Sequence, residues 1–408
     1  MKAVQFDLSI PRYAFSKAMG KVNSSFYVES PFSCLKLREV DKPALPNGEW
    51  AEIEVKYGGI CGSDLNLIYL NDSPATSPFV SFPFTVGHEM TGSISAVGDK
   101  VTDLSVGERV VIDPILSCEA RGMSPQCYEC AQGNYNLCQH MNNGSISPGL
   151  LTGTCKDTGG SWGKYIVAHK SQIIKLPENV NDLNGVLAEP FACALHAVLR
   201  NIPKPGDTVF VIGAGVIGIC VIAAIRALDI PCKIITLAKH PFQAELAELY
   251  GTDQAVILSH KKDYIAEAAK SLEADILHPV FGEPIVHGGA DIVYECVGNK
   301  KSLHDSLRFA RKGGKVVLIG LAGFIDNLDM TMIWLNELEV KGTFAYGMDE
   351  LNGEKKRTLQ IAVDLMQSGK ADLSLLVSHR FPIDNYREAL STAGNKKKGK
   401  TMKVVFEH

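Results

Sequence analysis

Four cysteines, Cys118, Cys127, Cys130 and Cys138, fall within twenty-one residues in the order C-x8-C-x2-C-x7-C. Thiolates so close in the chain can close a tetrahedral Zn²⁺ site, because each Zn–S bond is only about 2.3 Å long. Disulfide bridges are the competing use, and nothing else in the chain points to an oxidising compartment. Cys-x2-Cys is a metal-ligand spacing, so a structural zinc is the expected occupant.

A second set of metal-ligand types is spread along the chain. Gly59-Ile60-Cys61-Gly62-Ser63-Asp64 carries a thiol, Gly87-His88-Glu89 an imidazole and a carboxylate, and Ala188-Glu189-Pro190 a further carboxylate. A catalytic zinc needs three protein ligands and one exchangeable position. Each residue alone has a plainer reading: Cys61 as a small buried hydrophobe, His88 as a packed core residue, Glu189 as a helix N-terminal charge.

Gly213-Ala214-Gly215-Val216-Ile217-Gly218 is a G-x-G-x-x-G that follows a short apolar strand and opens a helical pattern. That context suits a dinucleotide, whose pyrophosphate approaches glycine backbone at a helix N-terminus; the plainer reading is a glycine turn between strand and helix. An acidic residue about 20 positions on would bind the ribose of NAD. Ala238 stands there, followed by Lys239 and His240. The missing carboxylate and the adjacent ammonium favour NADP(H) over NAD(H). NAD(H) remains the alternative if Lys239 and His240 only face solvent.

These residues need two kinds of scaffold. At 408 residues the chain suits more than one domain. Its first half reads as β-rich, with strands over Glu52–Val55, Gly92–Val97 and Gly107–Ile112, and helical pattern is sparse before Leu187. From Asp207 strands alternate with helices, which implies a doubly wound parallel sheet. Strands are expected over Thr208–Ile212, Lys233–Leu237, Ala255–Leu258, Asp291–Val297 and Lys315–Ile319, and helices over Val216–Leu228 and Pro241–Tyr250. Cys296, Val297, Gly320 and Leu321 fall at strand ends and should line the nicotinamide side, although ordinary strand termini would look the same. A helix near Lys356–Gln367 and a strand at Met402–Phe406 close the chain. The expected fold is α/β: a β-rich domain over 1–188 with a zinc lobe at about 113–143, a Rossmann domain over 189–345, and a return to the first domain over 346–408.

Composition excludes other classes. A formal charge of −4, with 46% hydrophobic and 21% charged residues, offers no footprint for nucleic acid or an anionic membrane surface. The basic run Lys396, Lys397, Lys398 and Lys400 reads as a solvated loop. No segment reaches the roughly 20 apolar residues of a membrane span, and MKAVQFDLSI shows no secretory signal. A cytoplasmic protein whose eleven cysteines are reduced thiols and metal ligands is expected.

The set GGICGSD, VGHEMTGSISAVG, the four-cysteine loop, LAEPFACALHAV and VFVIGAGVIG resembles the zinc-dependent medium-chain alcohol dehydrogenases, nearly end to end and in order. The resemblance implies a GroES-like catalytic domain, a Rossmann domain and a cleft between them. It implies Cys61, His88 and Glu189 as catalytic zinc ligands, with the Glu-Pro form of the third pointing to the sorbitol and threonine dehydrogenase branch. Glu89 matches a glutamate that can approach the metal, Ser63 the hydroxyl that passes on the substrate proton, and the four cysteines a structural zinc lobe. Two zinc ions per chain, a small alcohol or carbonyl substrate and a homodimer or homotetramer follow, with Asn327–Phe344 resembling the pairing edge.

Three features depart from that pattern. Asn66 replaces a histidine of the proton relay, and an amide does not titrate near neutrality. Glu119–Gln126 lengthens the first gap of the zinc loop, which predicts a bulged lobe. Pro11–Pro31 and Leu277–Gly289 are insertions suited to covering the cleft or building a subunit contact. The expected function is a zinc- and NADP(H)-dependent dehydrogenase of a secondary alcohol, polyol or amino alcohol. A zinc-free reductase of activated double bonds and a non-catalytic NADPH-binding protein are the alternatives.

Overall fold

The computed structural model describes residues 1–259 and 263–408, the side chain of Lys398 excepted. The chain divides into two compact units, one of Met1–Glu189, Tyr346–Met348 and Leu359–His408, the other of Pro190–Ala345 and Asp349–Thr358. The strand pair Met348–Leu351 and Glu354–Arg357 therefore belongs largely with the second unit. From sequence alone this stretch is expected within the return to the first domain over 346–408.

In the first unit, a seven-stranded sheet is built around the long strand Trp50–Gly59. Met90–Val97 and Lys403–Glu407 pair antiparallel with it, as does Tyr165–His169. Ala51, Ile53 and Val55 alternate inward and are essentially unexposed, as a strand with one face on the core requires. A separate three-stranded sheet joins Lys2–Phe6 to Leu35–Glu39 and Phe84–Thr85. Helices are more frequent here than the sequence pattern suggested. The insertion at Pro11–Pro31 contains the helix Ile10–Gly20 and a 3₁₀ turn, Ser24–Tyr27. Gly62–Ile68 forms a second helix directly after the central strand.

The second unit is a six-stranded, all-parallel sheet. Its order in space is Gln254–Ile257, Lys233–Ala238, Thr208–Ile212, Ala290–Glu295, Ala310–Leu318, Glu339–Gly342. Numbered within the sheet this is 3-2-1-4-5-6, the doubly wound dinucleotide order. Phe210, Ile235, Val293, Phe309 and Val316 share its core. The insertion at Leu277–Gly289 is mostly an antiparallel hairpin, Asp275–Leu277 against Ile285–His287. Edge strand Glu339–Gly342 is mostly exposed, and Trp334 and Leu335 before it are also exposed.

Lys396–Gly399 forms a single helical turn, with Lys396, Lys397 and Lys400 exposed; the Lys398 side chain lies outside the described residues. No described helix is long and apolar enough to cross a membrane.

Candidate functional site

Strand pairing assembles the first donor set. Gly58 pairs with Met90, and Gly59 N–H donates to Glu89 O at 2.9 Å, so His88 and Glu89 lie beside the end of the central strand. On the other side Gly59 pairs with Val405, and Ile60 N–H donates to Val404 O at 3.0 Å. Cys61 follows immediately as the N-cap of helix Gly62–Ile68. Gly59 is required for this approach, because a Cβ there would lie 2.0 Å from Glu89 Oε2.

The result is a buried group in which donor atoms of Cys61, His88 and Glu89 all lie within 4.8 Å of one another. Glu189 is buried too, but it is not part of this close group. By resemblance Glu189 is the third donor and Glu89 the carboxylate that can approach the metal, and Lys403 feels the charges of Glu89, Cys61 and Glu189 together.

Two residues that the sequence reading did not single out complete the group. Asp64 accepts from Cys61 N–H at 2.8 Å and lies 3.5 Å from His88 Nδ1. Its signal was the N-cap-x-x-acid spacing of a capping box, here with a cysteine at the cap. Lys403, on a strand more than 300 residues away, donates to both Glu89 oxygens and to Ile60 O. Burial opposes charge on Lys403, yet Glu89, then Cys61 and Glu189, hold its pKa above the usual lysine value. Burial likewise opposes a charged His88, and Asp64 and Cys61 override it to raise the imidazole pKa. Ser63 and Asn66 are three residues apart on the helix and half-buried, so they share one face.

The second donor set is Cys118, Cys127, Cys130 and Cys138, whose sulfurs also lie within 4.8 Å of one another. Cys118 and Cys138 sulfurs are 3.6 Å apart. A tetrahedral ion with bonds of about 2.3 Å would hold sulfurs roughly 3.8 Å apart, so the set fits zinc. Among the described residues no cysteine is in a disulfide. Backbone N–H groups of Cys127, Gln139 and His140 point at sulfurs from 3.3 to 3.4 Å, which favours thiolates. A hydrogen bond from Cys130, with help from His140 N–H, pulls the Cys138 thiol down to about 5. His140 Nδ1 stands 3.2 Å from Cys118 Sγ.

The long gap before Cys127 is occupied by Arg121, which is wholly buried. Its guanidinium donates to carbonyls of Leu116, Asn143, Ile146, Ser147 and Gly149 at 2.6 to 3.3 Å. The extra residues therefore carry a post around which the lobe is wound.

In the parallel sheet, Gly213 has φ +99°, and Gly215 is the N-cap of helix Val216–Ala227, which no side chain caps. Gly218 lets the helix sit against the strand: a Cβ there would lie 1.8 Å from Gly213 O. This cradle, with open helix N–H groups, fits a pyrophosphate. Ile217 lies in the first turn of that helix. Val297 packs over Gly213, and Glu295 accepts from Val297 and Gly298 N–H at 2.9 and 2.8 Å, fixing the loop that holds Cys296. Val297 and Leu321 are exposed, while Cys296 and Gly320 are partly covered. Ala238 ends its strand fully buried, Lys239 is exposed, and His240 is the N-cap of helix Pro241–Leu249 with its ring stacked on Phe242.

Residues 47–178 match the family described as the alcohol dehydrogenase GroES-like domain, and residues 216–368 match zinc-binding dehydrogenase. A probable D-xylulose reductase A from Aspergillus clavatus is 30% identical over 384 residues, 94% of this chain and 96% of the relative. A sorbitol dehydrogenase from Arabidopsis thaliana is 30% identical over 329 residues, 81% and 80% of the two chains. A crystal structure of a putative zinc-binding dehydrogenase from Sinorhizobium meliloti, bound to NADP, aligns with a TM-score of 0.71. It is 26% identical, over 92% of this chain and 96% of that one. The protein is an oxidoreductase that uses a nicotinamide cofactor, and it belongs to the zinc-dependent medium-chain alcohol dehydrogenases, on the branch that includes sorbitol dehydrogenase.

Proposed function

We propose that the chain is an NADP(H)-dependent dehydrogenase of a secondary alcohol, polyol or amino alcohol, with a catalytic zinc held by Cys61, His88 and Glu189, Glu89 able to approach it, and a structural zinc held by Cys118, Cys127, Cys130 and Cys138. The observation that carries this reading is the convergence of a thiol, an imidazole and a carboxylate at one buried point, braced by Asp64 and Lys403. Zinc there would supply Lewis acidity to the substrate oxygen, and the nicotinamide would exchange a hydride with the carbinol carbon.

The chain's own residues do the rest. Asp64 orients His88 and ties the Cys61 backbone, as carboxylates behind metal ligands commonly do. Lys403 offsets the Glu89 charge, which reduces the cost of keeping that carboxylate buried beside a thiolate. Glu189 is a second buried carboxylate near Lys403. Ser63 would hold the substrate proton at its hydroxyl. Asn66 cannot pass it on by titrating, so release runs through hydroxyls and water. Gly213, Gly215 and Gly218 seat the pyrophosphate, and Lys239 meets the 2′-phosphate where Ala238 leaves room for it. The exposed edge at Glu339–Gly342, with Trp334 and Leu335, supports at least a dimer.

Elemental analysis combined with two substitutions tests the reading. Wild type should carry two zinc ions per chain. Cys61→Ser should keep one zinc, bind cofactor and lose turnover on an alcohol panel, whereas Cys127→Ser should lose stability, because structural sites contribute folding energy. Full turnover by Cys61→Ser would refute the assignment. Light scattering at micromolar concentration checks the oligomer.

A further inference from the structure

Glu295 ends its strand where the parallel sheet reverses order, between Thr208–Ile212 and Ala290–Glu295. A dinucleotide binds in the crevice at such a point, outside the carboxyl ends of the strands. Glu295 pairs with Ile212, the residue before Gly213, and only 1% of its surface meets solvent.

Four main-chain N–H groups converge on this residue. Val297 and Gly298 donate to one side-chain oxygen, Oε1, at 2.9 and 2.8 Å. Ile319 and Gly320 donate to the Glu295 backbone carbonyl, also at 2.9 and 2.8 Å. One residue thus ties the segment 296–298 to the segment 319–321. The two segments also touch directly. A Cβ on Gly320 would lie 2.2 Å from Gly298 N and 2.5 Å from Glu295 Oε2, and a Cβ on Gly298 would lie 2.8 Å from Leu321 N. The same tie reaches the glycine cradle. A Cβ on Gly213 would lie 2.4 Å from Val297 Cγ2, so that side chain closes over the first glycine of the motif. Cys296 N–H, between the two, donates to Ile212 O at 3.0 Å.

We propose that Glu295 is a positioning residue for the nicotinamide cofactor: Oε1 holds Val297 against Gly213 and Gly298 against Gly320, and so shapes the wall that the bound cofactor meets. This rests on the seating of the pyrophosphate at Gly213–Gly218 in the function proposed above. Without the side chain, two N–H groups beside the cradle would have to move to find another acceptor, because an unmet donor costs more than a hydrogen bond gains. What the loop needs is an acceptor at one point, not a charge. Among the described residues Oε2 accepts no hydrogen bond, so an amide nitrogen in its place would break none. Lys239 follows a different strand, so the effect of Glu295 should fall equally on cofactors with and without a 2′-phosphate.

Calorimetry of NADP⁺ and NAD⁺ binding to the zinc-loaded protein tests it. Glu295→Met keeps the length of the side chain and removes the acceptor, and should weaken both cofactors at least about tenfold, by the same factor. Glu295→Gln keeps the acceptor without the charge and should stay within about threefold of wild type. Gly320→Ala, which drives a methyl group against Gly298 N and Glu295 Oε2, should weaken both cofactors as Glu295→Met does. All three variants should keep the zinc content of wild type by elemental analysis. Unchanged affinity in Glu295→Met, a tenfold loss in Glu295→Gln, a loss confined to NADP⁺, or zinc lost together with affinity would each overturn the proposal. Should Glu295→Met not fold, Glu295→Gln and Gly320→Ala still decide it. A wild type that binds NAD⁺ more tightly than NADP⁺ would sink the NADP(H) reading and leave this one standing.

Discussion

Lys403 Nζ lies 2.7 and 2.5 Å from the two carboxylate oxygens of Glu89, joining residues 314 positions apart in a pair that solvent does not reach. Removing one member of such a pair strands the other charge. Lys403→Met should therefore cost about 3–5 kcal/mol in urea denaturation at saturating zinc. The double variant Glu89→Gln, Lys403→Met should recover much of that loss, because the stranded carboxylate is gone. A single-variant cost below about 1 kcal/mol would show that water or another cation reaches Glu89.

Arg121 sets the geometry of the four-cysteine lobe by satisfying five backbone carbonyls from one buried guanidinium. Arg121→Met should leave several of them without a donor, at about 1–3 kcal/mol each. The expected result is a fall from two zinc ions per chain to one, measured by elemental analysis after exhaustive dialysis. Arg121→Lys should retain more zinc than Arg121→Met, since an ammonium replaces some donors but not the planar fork.

What could be read ahead of the structure was what is local. Gly213–Gly218 and the strand before it were legible because period, glycine spacing and helix start all fall within about ten residues. Cys118, Cys127, Cys130 and Cys138 were legible for the same reason. Cys61 and His88 were recognised through the resemblance, and strand pairing at Gly58–Met90 explains why they meet. Lys403 was invisible, because its role depends on the pairing of Val405 with Gly59 across most of the chain. The closeness of Glu89 to Cys61 was also unreadable, as it turns on an approach that Gly59 permits. The Pro11–Pro31 insertion showed too weak a period for its helix to stand out, and its meaning comes from fastening to Leu70.

Asp72 makes a pH prediction. Its carboxyl is pushed up to about 6 by desolvation and then Asp64, against an ordinary value of 3.8 in the unfolded chain, and because the residue is exposed the effect on stability is small. Between those values the folded protein binds more protons than the unfolded one, so this residue makes stability rise as pH falls through about 6 towards 4. Above both values its ionised form costs the folded state. Asp72→Asn should therefore stabilise the protein at pH 8 and have little effect near pH 4. The measurement is Tm for both proteins across that range. Parallel curves would mean that Asp72 is solvated as an ordinary surface acid.

The proposed preference for NADP(H) rests on the end of strand Lys233–Ala238. Ala238 offers no acceptor to a ribose hydroxyl, and exposed Lys239 is free to meet a phosphate. A hydrogen bond to a charged group contributes about 1.5–3 kcal/mol. Lys239→Ala should thus lower kcat/KM for NADP(H) about tenfold or more and leave that for NAD(H) nearly unchanged. Ala238→Asp should act in the opposite sense, supplying a ribose acceptor and repelling the 2′-phosphate. Assays with both cofactors on wild type and the two variants decide the matter. A wild type that prefers NAD(H), with neither substitution moving the ratio, would place Lys239 in solvent and return the protein to the NAD-dependent dehydrogenases.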